Sequence, residues 1–416
     1  MKNASLKPEV LTFGCRLNIA ESETMQRHAE EAGLRDVVII NTCAVTAEAE
    51  RQAGQTIRRL KRENPSVKIV VTGCSSQINP EKYAAMREVD CVIPNDKKLT
   101  FLSLSRIAGE GGPQHSGEGE GLVGEKSVEG KMQRAFVQVQ NGCDNKCTFC
   151  IIPFGRGASR SASFEDIAKQ VRSHVEEGFN EIVFTGVDIA SYGRDLPGEP
   201  TLGFMVRHVL KEAPALRRLR LTSLDPAAFD ADLWELIEEE PRLMPHLHLS
   251  LQSGDDMILK RMKRRHCRAD ILRLVERARK IRPNIVFGAD IIAGFPTETE
   301  SMFENTYHLV EQCGLTWLHV FPYSARKGTP ASKMPQVHGS LRVERAHRLR
   351  ALGEKAALRH YESLIGLMVK VLVENNGIGC TPQFAKLKLL GQPQVGQIVD
   401  ARCVRSENGS IVAEVM

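Results

Sequence analysis

The stretch Asn141-Gly-Cys-Asp-Asn-Lys-Cys-Thr-Phe-Cys-Ile-Ile-Pro153 carries the most informative pattern of the chain. It spaces Cys143, Cys147 and Cys150 as C-x3-C-x2-C, directly after a predicted strand. Three thiolates on one tight loop can bind three corners of an iron–sulfur cube, and the missing fourth ligand leaves one iron open for a substrate or cofactor. The alternative is a zinc site or a set of buried free thiols. Because structural zinc sites use four protein ligands, the spacing favours the cluster.

This cysteine pattern resembles the signature of the radical S-adenosylmethionine (SAM) enzymes. In that family the open iron chelates the amino and carboxylate groups of SAM. An electron from the cluster then splits SAM into methionine and a 5′-deoxyadenosyl radical. The resemblance implies a cofactor-binding role for Phe149, which lies inside the motif.

The composition of the whole chain narrows its class. With 416 residues, 42% of them apolar and 26% charged, the chain has the make-up of a globular protein of two to four domains. It has no run of 18 apolar residues, so we expect neither a membrane span nor a secretory signal. Eleven cysteines then indicate a reducing compartment, the cytoplasm, with metal ligands or free thiols in place of disulfides. A net charge of +5 permits a polyanionic partner.

The N-terminal third alternates strands with helices, which predicts a small parallel sheet in a three-layer α/β domain. The predicted strands are Val10–Phe13, Val37–Ile40 and Lys68–Thr72, and the predicted helices are Ile19–Ala32, Ala47–Asn64 and Pro80–Val89.

Cysteines in this region follow the predicted strands. Cys15, Cys43 and Cys74 each stand just past the carboxyl end of one strand, the edge where open parallel sheets bind ligands. Coincidence is the alternative, since cysteine is a common buried residue. Three placements out of three favour a second cluster, again with one open iron. We expect Cys91 to be a core thiol, and we interpret Cys267, Cys313, Cys380 and Cys403 as structural because their spacing does not resemble that of cluster ligands.

The central region also alternates strands and helices, which predicts an open, partial (βα)6 barrel whose active face lies at the carboxyl ends of the strands. The six predicted strands are Phe136–Gln140, Glu181–Thr185, Leu219–Thr222, His246–Leu251, Ile285–Ile292 and Trp317–Phe321. Glycine and polar residues follow one strand after another, and such loops can hold a ribose and an amino acid.

The C-terminal residues predict a small antiparallel β-barrel of the oligonucleotide-binding kind, with Asn376-Gly377 as a turn signal. We therefore expect an N-terminal domain over 5–107, a flexible Gly-, Glu- and Ser-rich linker over 108–131, the central domain over 132–362 and the small barrel over 363–416. Two densely cationic stretches, Leu259–Arg268 and Arg58–Arg62, are either solvated helix faces or phosphate-binding patches.

Several motifs in matching order resemble the methylthiotransferases, radical SAM enzymes with two 4Fe-4S clusters. They are Asn41-Thr-Cys-Ala-Val-Thr46, Gly142–Cys150 with Arg156-Gly157, Leu249-Ser-Leu-Gln-Ser-Gly254, Asp290-Ile-Ile-Ala-Gly-Phe-Pro296 and Phe321-Pro-Tyr-Ser324. The resemblance implies that Cys15, Cys43 and Cys74 bind an auxiliary cluster, where a methylthio group is assembled. It implies that Cys143, Cys147 and Cys150 bind the radical-generating cluster. It further implies SAM contacts near Gly186, Ser223, Gln252 and Asp290, and a C-terminal domain resembling the RNA-binding TRAM domain.

The resemblance also narrows the substrate. Members of the family modify a tRNA adenosine beside the anticodon, carrying either an isopentenyl or a threonylcarbamoyl group, or an aspartate of a ribosomal protein. Thr12–Asn18, Asn41–Thr46 and Arg156–Ser161 look most like the threonylcarbamoyl branch, since the isopentenyl branch usually has a basic residue where Thr46 stands. The implied partners are tRNA carrying threonylcarbamoyladenosine, an electron donor such as flavodoxin or ferredoxin, and a sulfur donor. The alternatives are the other two substrates or, from another class, a non-catalytic zinc-stabilised RNA-binding protein.

Overall fold

The structure is a computed structural model that describes residues 7–100, 133–407 and 409–416. The predicted linker, 108–131, lies outside these residues. The chain forms two compact units. The first comprises the described residues up to 100 together with 141–145 and 150–159, and the second comprises 133–140, 146–149 and the described residues from 160 to the end. The four domain boundaries drawn from the sequence stay a prediction.

The first unit is built on a four-stranded parallel sheet in the order β1-β2-β3-β4. Its strands are β1 (Glu9–Thr12), β2 (Val37–Thr42), β3 (Lys68–Gly73) and β4 (Cys91–Val92), and its helices are α1 (Arg16–Glu31), α2 (Ala47–Glu63), α3 (Cys74–Ile78), α4 (Pro80–Ala84) and α5 (Ile152–Arg156).

Alternation along the strands explains the three layers. In β2, Val37 and Ile39 pack into the apolar cluster that contains Met25 of α1, while Val38 and Ile40 pack into the cluster that contains Ile57 of α2. Successive side chains of a strand point to opposite faces, so each face of the sheet is covered by a helix. The predicted three-layer parallel-sheet arrangement is confirmed.

Two details of this unit correct the sequence prediction. The helix expected over Pro80–Val89 ends at Ala84, and the residues beyond it form turns that lead to β4. Cys91 is exposed and does not lie in the core. It stands on β4, which is an edge strand of the sheet among the strands that the structure describes.

The second unit contains the six predicted parallel strands, in two groups of three, β5-β8-β9 and β10-β11-β12. The two groups are joined at Leu224, whose N–H donates to His248 O (2.9 Å) and whose carbonyl accepts from Ser250 N (2.8 Å). The partial barrel is therefore confirmed. Its strands are β5 (Ala135–Gln138), β8 (Glu181–Thr185), β9 (Arg218–Leu221), β10 (His246–Gln252), β11 (Val286–Ala293) and β12 (Trp317–Pro322), with the short strands β6 (Gln140–Asn141) and β7 (Arg160–Ser161) between β5 and β8.

Helices alternate with these strands and cover the outside of the barrel. They are α6 (Phe164–Glu176), α7 (Leu202–Glu212), α8 (Ala231–Glu239), α9 (Asp256–Met262), α10 (Arg268–Ile281), α11 (Glu300–Gln312) and α12 (Gly339–Leu364). In β10, Leu247 and Leu249 belong to the apolar core shared with the helices. His246 and His248 alternate with them along the strand and therefore point to the opposite face. The interior of the barrel is thus polar along this strand.

The C-terminal residues form a closed five-stranded barrel in the order β13-β14-β15-β17-β16. The strands are β13 (Met368–Glu374), β14 (Ile378–Cys380), β15 (Lys386–Leu390), β16 (Ile398–Glu407) and β17 (Ser410–Val415). The expectation of a purely antiparallel barrel needs one correction, because β15 pairs with β17 in parallel. Asn376 and Gly377 both have positive φ (60° and 68°), as the predicted turn between β13 and β14 requires.

Among the described helices, none has the combination of length and apolar character that a membrane crossing demands.

Candidate active site

The three N-terminal thiols lie at one edge of the first sheet. Cys15 stands between β1 and α1, Cys43 directly follows β2, and Cys74 is the first residue of α3 directly after β3. Burial raises the pKa of the Cys43 thiol to about 11, the Val45 N–H that points to its sulfur (3.5 Å) opposes this, and Cys15 and Cys74 add to the rise. All three thiols thus stand at the carboxyl edge of the sheet, and their binding of one cluster stays a prediction.

Gly14 brings two of these thiols together. Its φ of +104° lies in the region that L side chains rarely adopt, and a Cβ on this residue would lie 2.6 Å from Cys43 Sγ. The turn before Cys15 can therefore approach Cys43 because residue 14 has no side chain.

A buried charged group lies beside the same thiols. The Glu21 carboxylate accepts from Lys98 Nζ (2.5 Å) and from both terminal nitrogens of Arg156 (2.7 and 2.9 Å). Burial acts to raise the pKa of Glu21, but the attraction of Lys98 and Arg156 outweighs it and holds that pKa below its ordinary value. Burial likewise raises the pKa of Cys74, and the two cations oppose that rise.

The C-x3-C-x2-C loop begins at a tight backbone contact. Gly142 has a φ of +71°, and a Cβ there would lie 1.8 Å from the carbonyl oxygen of Ala158. The next residue, Cys143, donates its N–H to Gly157 O (3.1 Å). Cys143, Cys147 and Cys150 are all half-buried, so their sulfurs keep partial access to solvent or to a bound group.

The middle of this loop is held by α9 and the residues after it. Thr148 donates its N–H to Met262 O (3.1 Å) and its hydroxyl to Arg261 O (2.8 Å). Arg264 Nη1 lies 3.4 Å from Cys147 Sγ, and its other terminal nitrogen donates to Asp225 Oδ2 (3.1 Å). Arg264 thus links the cysteine loop to Asp225, which follows β9.

Phe149 and the predicted SAM-contacting residues follow the expected topology. Phe149 packs edge-to-face on Phe295, with the ring centroids 6.5 Å apart. Gly186 directly follows β8, Ser223 lies two residues past β9, and Gln252 ends β10, so these three line the carboxyl ends of the strands.

Backbone geometry singles out the same positions. Ser223 (φ +56°) and Gln252 (φ +74°) adopt left-handed conformations that are unfavourable for side-chain-bearing residues and that cluster at functional sites. A Cβ at Gly186 would lie 2.7 Å from Gln140 O. The side-chain oxygen of Gln140 accepts from the N–H groups of Val187 (3.0 Å) and Asp188 (2.9 Å), which fixes the loop after β8.

Asp290 lies within β11 and contacts two histidines of the neighbouring strands. Its Oδ1 is 3.1 Å from His248 Nε2 and 3.3 Å from His319 Nδ1. Burial acts to raise the pKa of Asp290, but the hydrogen bonds and charges of the two histidines bring it below its ordinary value. The carboxylate is thus held ionised inside the barrel, where it can accept hydrogen bonds from a ligand.

Within the described part of the chain, one ligand atom each of His248, Asp290 and His319 lies within 4.8 Å of the other two, an arrangement that could hold a metal ion.

Most of the cationic stretch Leu259–Arg268 is engaged within the protein. Arg261 donates to Thr297, Arg264 and Arg265 to Asp225, and Arg268 to Gly254 O and Asn305 O. These arginines therefore hold other residues of the second unit in place. In the other stretch, Arg58–Arg62, the side chains of Arg58, Arg59 and Arg62 are exposed and remain available to a phosphate backbone.

Models of two known protein families match parts of the chain in the two units. A model of the radical SAM superfamily matches residues 137–310, and a model of an uncharacterized protein family, UPF0004, matches residues 7–94. The radical SAM methyltransferase TsrM of Kitasatospora setae, solved with tryptophan and a SAM analog, superimposes with a TM-score of 0.52 at 14% identity, over 78% of this chain and 75% of TsrM. That likeness shows the fold alone.

Curated relatives match nearly the whole chain. The threonylcarbamoyladenosine tRNA methylthiotransferase MtaB of Rickettsia prowazekii is 51% identical over 98% of this chain and 97% of its own. The protein of the same name from Aquifex aeolicus is 34% identical over 93% of this chain and 98% of its own. A tRNA-2-methylthio-N(6)-dimethylallyladenosine synthase from Roseobacter denitrificans is 33% identical over 97% of both chains.

The partial barrel with its C-x3-C-x2-C loop defines a radical SAM enzyme. Since a relative at 51% identity is covered almost end to end, the chain belongs to the family of the threonylcarbamoyladenosine tRNA methylthiotransferases.

Proposed function

We propose that the protein transfers a methylthio group to C2 of N6-threonylcarbamoyladenosine beside the anticodon of tRNA. The observation that carries the proposal is the 51% identity with the Rickettsia prowazekii MtaB over 98% of this chain. The dimethylallyladenosine synthase is similar over the same length at only 33%. The enzyme uses SAM, which supplies the methyl group and the radical, and two 4Fe-4S clusters, which pass on the electron and hold the sulfur.

We assign the ligands of the two clusters from the chain's own residues. Cys143, Cys147 and Cys150 bind the cluster that cleaves SAM, and Cys15, Cys43 and Cys74 bind the auxiliary cluster. Support comes from their positions, since the first set lies on one half-buried loop and the second lies at one edge of the first sheet. Arg264 steadies Cys147, and Arg156 with Lys98 favours the charged form of Cys74.

The cofactor-binding residues surround the carboxyl ends of the barrel strands. Phe149, Gly186, Ser223 and Gln252 provide an apolar wall, close backbone approach, and hydroxyl and amide groups for the amino acid and ribose of SAM. Asp290, held ionised between two histidines, accepts hydrogen bonds deeper in the barrel. The target base leaves its stack to reach this face.

The partners follow from the reaction. An electron donor such as flavodoxin or ferredoxin reduces the clusters, and a separate donor supplies sulfur. The tRNA binds through its phosphates to cationic surfaces such as the exposed arginines of Arg58–Arg62 and through the closed C-terminal barrel. With these partners, we propose a cytoplasmic location for the protein.

Nucleoside analysis tests the substrate directly. The tRNA of a deletion strain, analysed by mass spectrometry of its nucleosides, should lack 2-methylthio-N6-threonylcarbamoyladenosine and retain the unthiolated nucleoside. The intact gene should restore the product. Loss of a methylthiolated isopentenyladenosine instead would move the substrate to the other tRNA branch. Unchanged tRNA with a missing modification on a ribosomal protein would overturn the tRNA proposal.

Cysteine variants test the two ligand sets separately. Cys147→Ala should abolish 5′-deoxyadenosine formation, whereas Cys43→Ala should spare SAM cleavage and stop thiolation. Each should lower bound iron from about eight to about four per chain. Cys91→Ala is the matched control, because this exposed thiol lies outside both sets and its loss should change neither iron nor product. Full thiolation by the Cys43→Ala enzyme, or zinc in place of iron, would refute the two-cluster assignment.

A further inference from the structure

Two buried cations converge on one carboxylate in the first unit. The side chains of Glu21, Lys98 and Arg156 are each 1% exposed. Lys98 and Arg156 carry two positive charges against the single negative charge of Glu21. Placing such a group away from water is costly unless its charges are well matched by their surroundings.

Amide side chains connect these cations to the turns that carry the cysteines. Asn18 Oδ1 accepts from Arg156 Nη2 (2.5 Å), and the Cys15 sulfur lies 3.9 Å from the same oxygen. Asn18 Nδ2 donates to Thr42 O (3.2 Å), the carbonyl that immediately precedes Cys43. Arg156 is therefore one side chain removed from the Cys15 thiol and from the backbone that leads into Cys43.

The third cysteine, Cys74, packs against Gly155, the residue before Arg156. A Cβ on Gly155 would lie 3.2 Å from both Cβ and O of Cys74, so the backbone of α5 packs directly on this cysteine. Both Arg156 and Lys98 act electrostatically on the Cys74 sulfur in the direction that favours negative charge, and Glu21 acts in the opposite direction. Charges buried in low-dielectric surroundings act over such distances with little screening.

The reduction potential of an iron–sulfur cluster changes with the charges buried near it. It depends on net charge and on the hydrogen bonds and burial around the cluster. One-electron reduction adds a negative charge, so a fixed cation nearby stabilises the reduced form and raises the potential, while a fixed anion lowers it.

We propose that Glu21, Lys98 and Arg156 form an electrostatic unit that sets the reduction potential of the auxiliary cluster, the two cations raising it and Glu21 lowering it. The inference rests on the proposed binding of this cluster by Cys15, Cys43 and Cys74. These three charged residues are positioning residues near the thiols, and Arg156 also holds the cysteine turns through Asn18.

The test isolates the auxiliary cluster in the full chain. Cys143, Cys147 and Cys150 are changed together to Ala, the protein is reconstituted without oxygen, and iron and sulfide are counted. A dithionite titration followed by electron paramagnetic resonance then gives the midpoint potential. About four irons per chain are expected, and a sample without iron would overturn both the ligand assignment and this inference.

Charge changes of opposite sign give the decisive comparison. In that background Arg156→Gln and Lys98→Met should each shift the midpoint to a more negative potential, and Glu21→Gln should shift it to a more positive one. Arg156→Lys, which keeps the charge, should stay near the parent. Arg87→Gln, whose side chain is 94% exposed, should have no effect because water and salt screen it.

The signs separate an electrostatic role from a packing role. If the substitutions acted by disturbing the packing, the midpoint potentials of all three variants would shift in the same direction, or each variant would lose iron. If the cluster forms with four irons and the direction of the shift in midpoint potential does not depend on the sign of the charge removed, the inference is wrong while the ligand assignment stands. Two of the variants remove a cation, so if either of these misfolds, the other and Glu21→Gln still give shifts of opposite sign.

Discussion

At the scale of single residues, Gly14 sets the approach of two thiols. Replacing it with Ala places a Cβ 2.6 Å from Cys43 Sγ on a backbone with φ of +104°. Strain of this kind costs ~1–3 kcal/mol, and the clash also displaces Cys43. We expect the Gly14→Ala enzyme to lose the iron of the auxiliary cluster, about four of eight per chain, measured by anaerobic iron and sulfide analysis, while 5′-deoxyadenosine is still formed.

Gly33 offers the matched control for this prediction. It also has a positive φ (+65°), yet no atom lies within 4 Å of the Cβ that Ala would add. Gly33→Ala should cost stability, seen as a lower melting temperature, and should keep all its iron. Equal iron contents in the two variants would contradict the idea that Gly14 acts through its contact with Cys43.

Some of these residues can be read from the sequence and others cannot. Cys15, Cys43 and Cys74 are recognisable because each follows a strand, and the carboxyl ends of parallel strands share one edge. Glu21 and Lys98 give no such signal, because they lie 77 positions apart and resemble ordinary surface charges until the fold buries them together. Arg264 stands in a cationic stretch that suits solvent or RNA equally well, and only the folded chain places it 3.4 Å from Cys147.

At the scale of elements, the end of α9 supports the cysteine loop at a local cost. Lys263 caps this helix in a left-handed conformation (φ 58°, ψ 43°), which glycine adopts far more readily. We expect Lys263→Gly to stabilise the cluster-free protein by about 0.5–1 kcal/mol, measured as a higher melting temperature by circular dichroism.

Lys260, in the interior of the same helix, provides the contrast. It is exposed like Lys263, so the two substitutions remove similar side chains. Lys260→Gly should destabilise by about 1 kcal/mol, since glycine is a poor residue within a helix. If both variants shift the melting temperature the same way, charge and not backbone conformation governs this helix.

Elements with a clear period are predicted well, and short ones are not. The strand Glu181–Thr185 has the bounds that the sequence predicts, because a short apolar run marks it. The strand Ile378–Cys380 cannot be predicted from the sequence, since three residues are too few to show alternation. Its existence depends on pairing with β13 and β15, which is a property of the closed barrel.

At the scale of the whole molecule, the C-terminal barrel is attached to the central one through a buried carboxylate. Glu181 is fully buried and accepts from Arg134 (2.8 Å) and Arg220 (2.9 Å), with Arg218 at 3.6 Å. Arg218 donates to Cys380 O and Lys370 O, and Arg220 to Thr381 O and Pro382 O. Glu181 thus orients the arginines that hold the C-terminal strands and loops.

Glu181→Gln should loosen this attachment. Removing the shared anion leaves buried guanidinium groups without their charge partner, a change that costs about 3–5 kcal/mol. Trp317, whose indole N–H donates to Gln383 O (2.9 Å), reports on the same contact. Urea unfolding of the cluster-free protein, followed by tryptophan fluorescence, should show an earlier transition for the variant than for the parent at pH 7.

The pH dependence tests whether the carboxylate charge is the cause. Burial acts to raise the pKa of Glu181, but the three arginines bring it down to about 2, against 4.5 for a free glutamate. The stabilisation is therefore fully present above pH 4.5 and is lost as the pH falls towards 2. The parent and the Glu181→Gln variant should unfold at increasingly similar urea concentrations below pH 4.5. Glu48→Gln, which removes an exposed partner of Arg51, should match the parent throughout. A difference between Glu181→Gln and the parent that stays constant down to pH 3 would assign the effect to packing and not to charge.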